Sequence, residues 1–146
     1  MVARVSDRAE AGHVEVFVRC GSGGVLGDAG ELAEALTNFV LNAIQATPSG
    51  GGVFVATYEC VDGSQLWTVQ DTGPGLPREM VDRIGTAYCS SQEGGTGLGV
   101  ALSREIIEQH GGHARIESWT GAGTLVTIEL PAAERESGPE SIGAVE

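Results

Sequence analysis

The sequence predicts an α/β two-layer sandwich, one mixed sheet with helices on one face. Three observations predict it. A lead strand and two hairpins alternate apolar and polar residues. Three stretches carry helical period or helix start and stop signals. The 146 residues, 41% of them hydrophobic, supply one core rather than two.

Residues 1–12 read as a lead-in from an upstream region, 13–131 as the folded domain and 132–146 as a disordered acidic tail. In 13–20, Val14, Val16 and Val18 alternate with polar partners, a half-buried strand; 21–24 is a turn. Asp28 starts a helix over 28–46, with Glu31 three residues on as its capping-box partner. Leu32, Leu36, Phe39, Val40 and Ile44 give that helix a core face, and Pro48, Ser49 and the glycines at 50–52 end it. Segments 53–60 and 65–70 form a hairpin around Val61-Asp62-Gly63. A short helix over 77–84 follows, then a mobile loop over 85–95 with no apolar period. A helix over 98–110 closes on Gly111 at C′. Segments 113–119 and 124–130 form the second hairpin, stopped by Pro131.

Composition removes several function classes. All eight basic residues are Arg, against 20 acidic residues, for a net charge of −12. Without Lys there is no Walker-A loop, no pyridoxal Schiff base and no eukaryotic-type kinase Lys. The acidic balance opposes nucleic acid and anionic membrane surfaces. No apolar run approaches the roughly 18 to 20 residues that span a bilayer, and the N-terminal residues are not a secretory signal. Cys20, Cys60 and Cys89 form no CxxC pair and read as reduced thiols of a cytoplasmic protein. The 23 glycines are clustered and amount to about twice the average share.

Three of those clusters carry chemistry. On the helix 28–46, Glu34, Asn38, Asn42 and Gln45 make a polar stripe opposite the core face. Asn is a poor helix-interior residue, and its carboxamide oxygen suits Mg²⁺; a solvated polar face reads equally well from the stripe alone. Asp71-Thr72-Gly73-Pro74-Gly75 follows a strand. Its carboxylate can accept a hydrogen bond from an exocyclic amine such as that of adenine, although by itself the segment reads as an ordinary turn. Gly94-Gly95-Thr96-Gly97-Leu98-Gly99 opens the helix 98–110, where free N–H groups and the positive dipole end attract anions. Its GxGxG spacing, away from any strand end, is not a dinucleotide fingerprint.

Together the three resemble the motifs of the GHKL ATP-binding superfamily. Asn38-Phe39-Val40-Leu41-Asn42-Ala43 is similar to its Asn box, Asp71 to Gly75 to its first glycine box, and Gly95 to Gly99 to its second. The ending His110-Gly111-Gly112, Ser118, Gly123-Thr124 and Leu130-Pro131 resembles that of the catalytic domain of bacterial sensor histidine kinases. The resemblance covers about residues 13–131 and implies a Bergerat ATP-binding fold.

It further implies ATP and Mg²⁺ as ligands. Asn42 would coordinate Mg²⁺, with Asn38 near the phosphates and Gln45 and Ala46 further along the site. Asn38 stands where hydrolysing relatives carry a Glu, which favours phosphoryl transfer over hydrolysis. Asp71 would read adenine, shaped by Gly73 and Gly75. Gly95, Thr96, Gly97, Leu98 and Gly99 would cradle phosphates, the loop 85–95 would be a lid, and Thr127 would reach the adenine pocket. The acceptor His would come from a separate dimerising helical domain, with a response regulator as an indirect partner. His13, His110 and His113 lack the context of an acceptor.

Departures from the family pattern concern charge. Gln45 stands where many relatives have a basic residue, Ser90-Ser91-Gln92 where a Thr-Thr-Lys run is common, and Gly85-Thr86 where a Phe leads the lid. Arg78, Arg83, Arg104 or the acceptor domain would supply the missing cation; otherwise the domain binds ATP and transfers slowly. The alternatives are a nucleotide-sensing module and an anti-sigma-type serine kinase, the second opposed by the His110-Gly111-Gly112 and Leu130-Pro131 ending.

Overall fold

Strands form where valines alternate. The computed structural model describes residues 2–5, 14–21, 24–25, 27–77, 79, 81 and 98–132. The loop expected over 85–95 and the tail after Ala132 lie outside the described residues. The elements are β1 (Val2–Val5), β2 (Glu15–Arg19), α1 (Ala29–Ala46), β3 (Gly52–Glu59), β4 (Gln65–Asp71), α2 (Leu98–Gln109), β5 (His113–Trp119) and β6 (Gly123–Leu130). They form a six-stranded mixed sheet of order β1-β2-β3-β4-β6-β5.

One expectation is corrected at the start of the chain. Val2–Val5 is not lead-in but an edge strand, antiparallel to β2, with Val2 opposite Arg19 and Val5 opposite Val16. Four residues are too few to show a period of their own; pairing with β2 makes them a strand. Strands β2 and β3 are parallel, so their connection must cross the sheet, and α1 is that crossover. The other ladders are antiparallel, as the two hairpins required. In the first hairpin, Asp62 Oδ1 accepts from the Ser64 N–H at 2.9 Å and from its hydroxyl at 2.6 Å, a local turn that holds the reversal.

The core lies between the sheet and the two helices. Val16, Val53, Val55, Val69, Val126 and Ile128 face inward from the strands. Leu32, Ala35, Phe39 and Ala43 meet them from α1, and Val100, Ile106 and Ile107 from α2. The opposite sheet face carries a stacked pair, Phe17 and Phe54, with ring centroids 5.3 Å apart.

Each helix ends as its sequence dictates. Asp28 caps α1, its Oδ1 accepting the Glu31 N–H at 2.9 Å, worth about 1 kcal/mol. At the far end the Thr47 hydroxyl donates to the Ala43 carbonyl at 2.7 Å. Gly111 leaves α2 at φ +81°, and the Gly112 N–H donates to the Ile107 carbonyl at 2.9 Å, a Schellman closure. His110 has a role that dipole compensation alone did not suggest. Its Nε2 accepts the Asp28 N–H at 3.0 Å while its Nδ1 lies 2.8 Å from the Ile106 carbonyl. The Nε2 acceptor role fixes the tautomer with the proton on Nδ1, so the end of α2 is clasped to the start of α1.

Ser103, in α2, is completely buried, and its hydroxyl finds no partner among the described residues. A buried unpaired hydroxyl costs about 1–3 kcal/mol, and Ala is the better helix former. Ser103→Ala is therefore expected to stabilise the fold by about 1 kcal/mol in denaturant unfolding. A loss of stability would show that the hydroxyl is bonded after all. Among the described residues no helix is long and apolar enough to cross a membrane.

Candidate functional site

A cavity of about 270 Å³ opens between the C-terminal half of α1 and the inner face of β4 and β6. Helix α1 offers Phe39, Asn42, Ala43, Gln45 and Ala46 to it. Residues 39, 42, 43 and 46 recur at helical spacing, so the polar stripe and the core face meet at the cavity rim. Val69 and Asp71 come from the end of β4, and Pro74, Gly75 and Leu76 from the loop that follows. Val100 of α2, Ile116 of β5, and Thr124 and Val126 of β6 complete the wall.

Asp71 is the charged residue of this largely apolar wall, and it is 6% exposed. One carboxylate oxygen accepts the Gly73 N–H at 2.8 Å. Burial pushes its pKa above the ordinary 3.8, and this outweighs the opposite pull of the Gly73 and Thr124 N–H groups. Desolvation thus disfavours the charged form of this wall carboxylate, a perturbation that binding sites often show.

The shift has a sign that can be measured. Folded Asp71 takes up its proton at a higher pH than the unfolded chain does. Its contribution to stability therefore improves as pH falls through the raised value, and levels off below 3.8. Asp71→Asn lacks this dependence, so wild type is expected to gain on the variant as pH is lowered through that window. Chemical denaturation of both proteins across the pH series checks it; a wild type that loses ground on acidification contradicts the burial argument.

The loop after Asp71 is glycine-dependent. A Cβ on Gly73 would stand 2.7 Å from the Ala46 carbonyl oxygen, so the missing side chain lets the loop close on the end of α1. Gly75 adopts φ +73° and lies against the backbone of Trp119. Further ties hold this loop to the β5–β6 turn. The Gly121 N–H donates to the Pro74 carbonyl at 2.6 Å, and the Leu76 N–H to the Ser118 hydroxyl at 2.7 Å.

Of the residues singled out in the sequence, the structure brings Asn42, Gln45, Ala46, Asp71 and Gly75 to one cavity, with Gly73 bonded to Asp71 behind it. Asn38 is half-buried one turn earlier on α1 and does not line the cavity. Thr127 is corrected. Alternation along β6 turns Val126 inward and Thr127 outward, where it is buried in register with Thr68 and Arg115. Thr124 lines the cavity instead, as the register partner of Asp71. Counting back by two from Val126 would have found it. Gly95, Thr96 and Gly97 lie outside the described residues, as do Arg78 and Arg83. Leu98 and Gly99 are the first two residues of α2, whose N-terminal, electropositive turn adjoins the cavity at Val100. Arg104 is committed elsewhere, its guanidinium donating to the Ala114 carbonyl at 3.2 Å.

Residues 27–134 match the family described as histidine kinase-, DNA gyrase B-, and HSP90-like ATPase. Sensor histidine kinase ZraS of Klebsiella oxytoca is 42% identical over 104 residues, which is 71% of this chain and 22% of that protein. Sporulation kinase C of Bacillus subtilis is 35% identical over 105 residues, 72% of this chain and 24% of its own length. The chain thus spans about a quarter of the length of these relatives. Among solved structures, full-length ShkA in complex with AMPPNP superposes with a TM-score of 0.76 at 30% identity, over 86% of this chain and 27% of that one.

Proposed function

The chain belongs to the histidine kinase-, DNA gyrase B-, and HSP90-like ATPase family, and from that premise we propose that it is the Mg-ATP-binding catalytic domain of a two-component sensor kinase. It would pass the γ-phosphoryl group of ATP to a histidine on a separate dimerising helical domain. The observation that carries this reading is the buried Asp71 carboxylate on the largely apolar wall of a cavity of about 270 Å³. An exocyclic amine gives that carboxylate a further donor beside the Gly73 and Thr124 N–H groups, and the apolar wall takes the ring faces.

Asn42 fits Mg²⁺ by its chemistry. It offers a hard carboxamide oxygen at the cavity, and the described residues hold no cluster of three or more acidic, His or Cys side chains. That suits an ion carried mainly by phosphate oxygens and water, with one protein ligand. When bound, the ion would neutralise charge on the triphosphate. The rest falls to the chain itself: Asp71 orients the base, Val69 and Val126 exclude water from it, and the N-terminal turn of α2 faces the phosphates. The imidazole nitrogen of the acceptor attacks the γ-phosphorus, and the bond to the β–γ bridging oxygen breaks, leaving ADP. The missing cation would come from Arg78, Arg83 or the acceptor domain. A response regulator would receive the group from that histidine, and use of ATP supports a cytoplasmic location.

Calorimetry with a non-hydrolysable ATP analogue, with and without Mg²⁺, tests the first half. Asn42→Ala is expected to weaken Mg²⁺-dependent binding about tenfold. Incubation with labelled ATP and a helical acceptor domain tests the second half. Label on His, acid-labile and base-stable, is expected; label on Ser would move the chain to the serine-kinase branch.

A further inference from the structure

Asp71, Thr124 and Ser118 stand in one row across three neighbouring strands. Asp71 is the register partner of Thr124, and Thr124 of Ser118. Thr124 lines the cavity; Ser118 stands behind it. The Ser118 hydroxyl accepts the Leu76 N–H at 2.7 Å, lies 2.7 Å from the Thr124 hydroxyl, and lies 3.2 Å from the Gly123 carbonyl.

A serine hydroxyl has one proton and two acceptor positions. Leu76 fills one acceptor position, which leaves the proton two destinations. If Ser118 donates to Gly123, Thr124 donates to Ser118 and shows the cavity an acceptor. If Ser118 donates to Thr124, the Thr124 proton is free and the cavity meets a donor. The same oxygen also anchors Leu76, the far end of the loop that begins at Asp71. Both ends of the loop therefore depend on one row of side chains.

We propose that Ser118 is a positioning residue of the base end of the cavity: it sets the hydrogen-bonding sense of Thr124 and seats the 71–76 loop, and so governs discrimination between purines. This rests on the nucleotide reading above. Ser118 touches no ligand itself; it acts through Thr124 and Leu76. The loop keeps the Gly121-to-Pro74 bond without it, so removing the hydroxyl loosens the loop rather than releasing it.

The test compares ATP with inosine triphosphate in the presence of Mg²⁺. Inosine carries a carbonyl where adenine carries its exocyclic amine, so that position turns an acceptor toward Asp71 and gains little from the row. In wild type ATP binds more tightly. Ser118→Ala is expected to bind ATP about tenfold more weakly, with inosine triphosphate nearly unchanged, so the preference falls about tenfold. Ser118→Cys, close in size but a weak hydrogen-bonding group, is expected to lose preference too, and serves if the alanine variant does not fold. Ser118→Thr keeps the hydroxyl and is expected to keep the preference. Amide exchange at Leu76 should quicken about tenfold in Ser118→Ala. Equal weakening of both nucleotides would make Ser118 merely structural and overturn the proposal. So would full preference in Ser118→Ala and Ser118→Cys beside a selective wild type, a result that leaves the nucleotide reading intact. A wild type that binds neither nucleotide overturns both.

Discussion

Gly75→Ala is expected to lower the melting temperature by about 15 °C and to abolish ligand binding at the cavity. The residue sits at φ +73°, where an L side chain costs about 1–2 kcal/mol. Its new Cβ would also overlap the Trp119 carbonyl oxygen and stand 2.7 Å from the Trp119 carbonyl carbon. That obstacle is backbone, tied into the β5–β6 turn, and no rotamer change relieves it. The sum is about 4 kcal/mol, at the upper end of single-substitution effects; for a domain of this size that corresponds to the stated loss of melting temperature. Gly121→Ala isolates the torsional part. Gly121 has φ +82° but open space around its Cα, so its loss is expected to stop near 1–2 kcal/mol. Thermal melts of the two variants side by side decide the matter, and equal losses would remove the steric argument.

Asp71→Ala is expected to weaken ATP binding about 100-fold while leaving the fold intact. A hydrogen bond to a charged group is worth about 1.5–3 kcal/mol, roughly 10- to 150-fold in affinity. The effect should sit at the upper end, because the amine of adenine would be left buried with no acceptor. Stability should not suffer in proportion, since the carboxylate is held against its desolvation in the free protein. Titration calorimetry paired with thermal unfolding separates the two quantities. Unaltered ATP affinity in a folded variant would show that Asp71 does not read the base.

Much of this was legible in the residues. The period of α1, its Asp28 cap and both hairpins came from local patterns, and local interactions do form them. Asp71 stood out only through the three motifs taken together, since its own segment reads as an ordinary turn. What escaped was non-local. The strand Val2–Val5 exists through its partner β2. Thr127 was named and Thr124 missed, because which face of β6 is inward follows from its register with β4. His110 gave a helix-end signal, but its bond to Asp28 crosses 82 residues of sequence. The apolar wall of Phe39, Val69, Val100, Ile116 and Val126 looks like any core until the space it surrounds is seen.

The link between His110 and Asp28 has a mechanical consequence. It fastens α1 and α2 at the end remote from the cavity, whereas Asn42 and Val100 lie at the other. The two helices also share one core, so this bond adds a fixed point between them at the end away from the cavity. Asn42 is about 20 Å along α1 from the joint, so a swing of about 3° displaces its carboxamide by about 1 Å. The geometry makes the position of the Asn42 carboxamide sensitive to the angle fixed at that one imidazole.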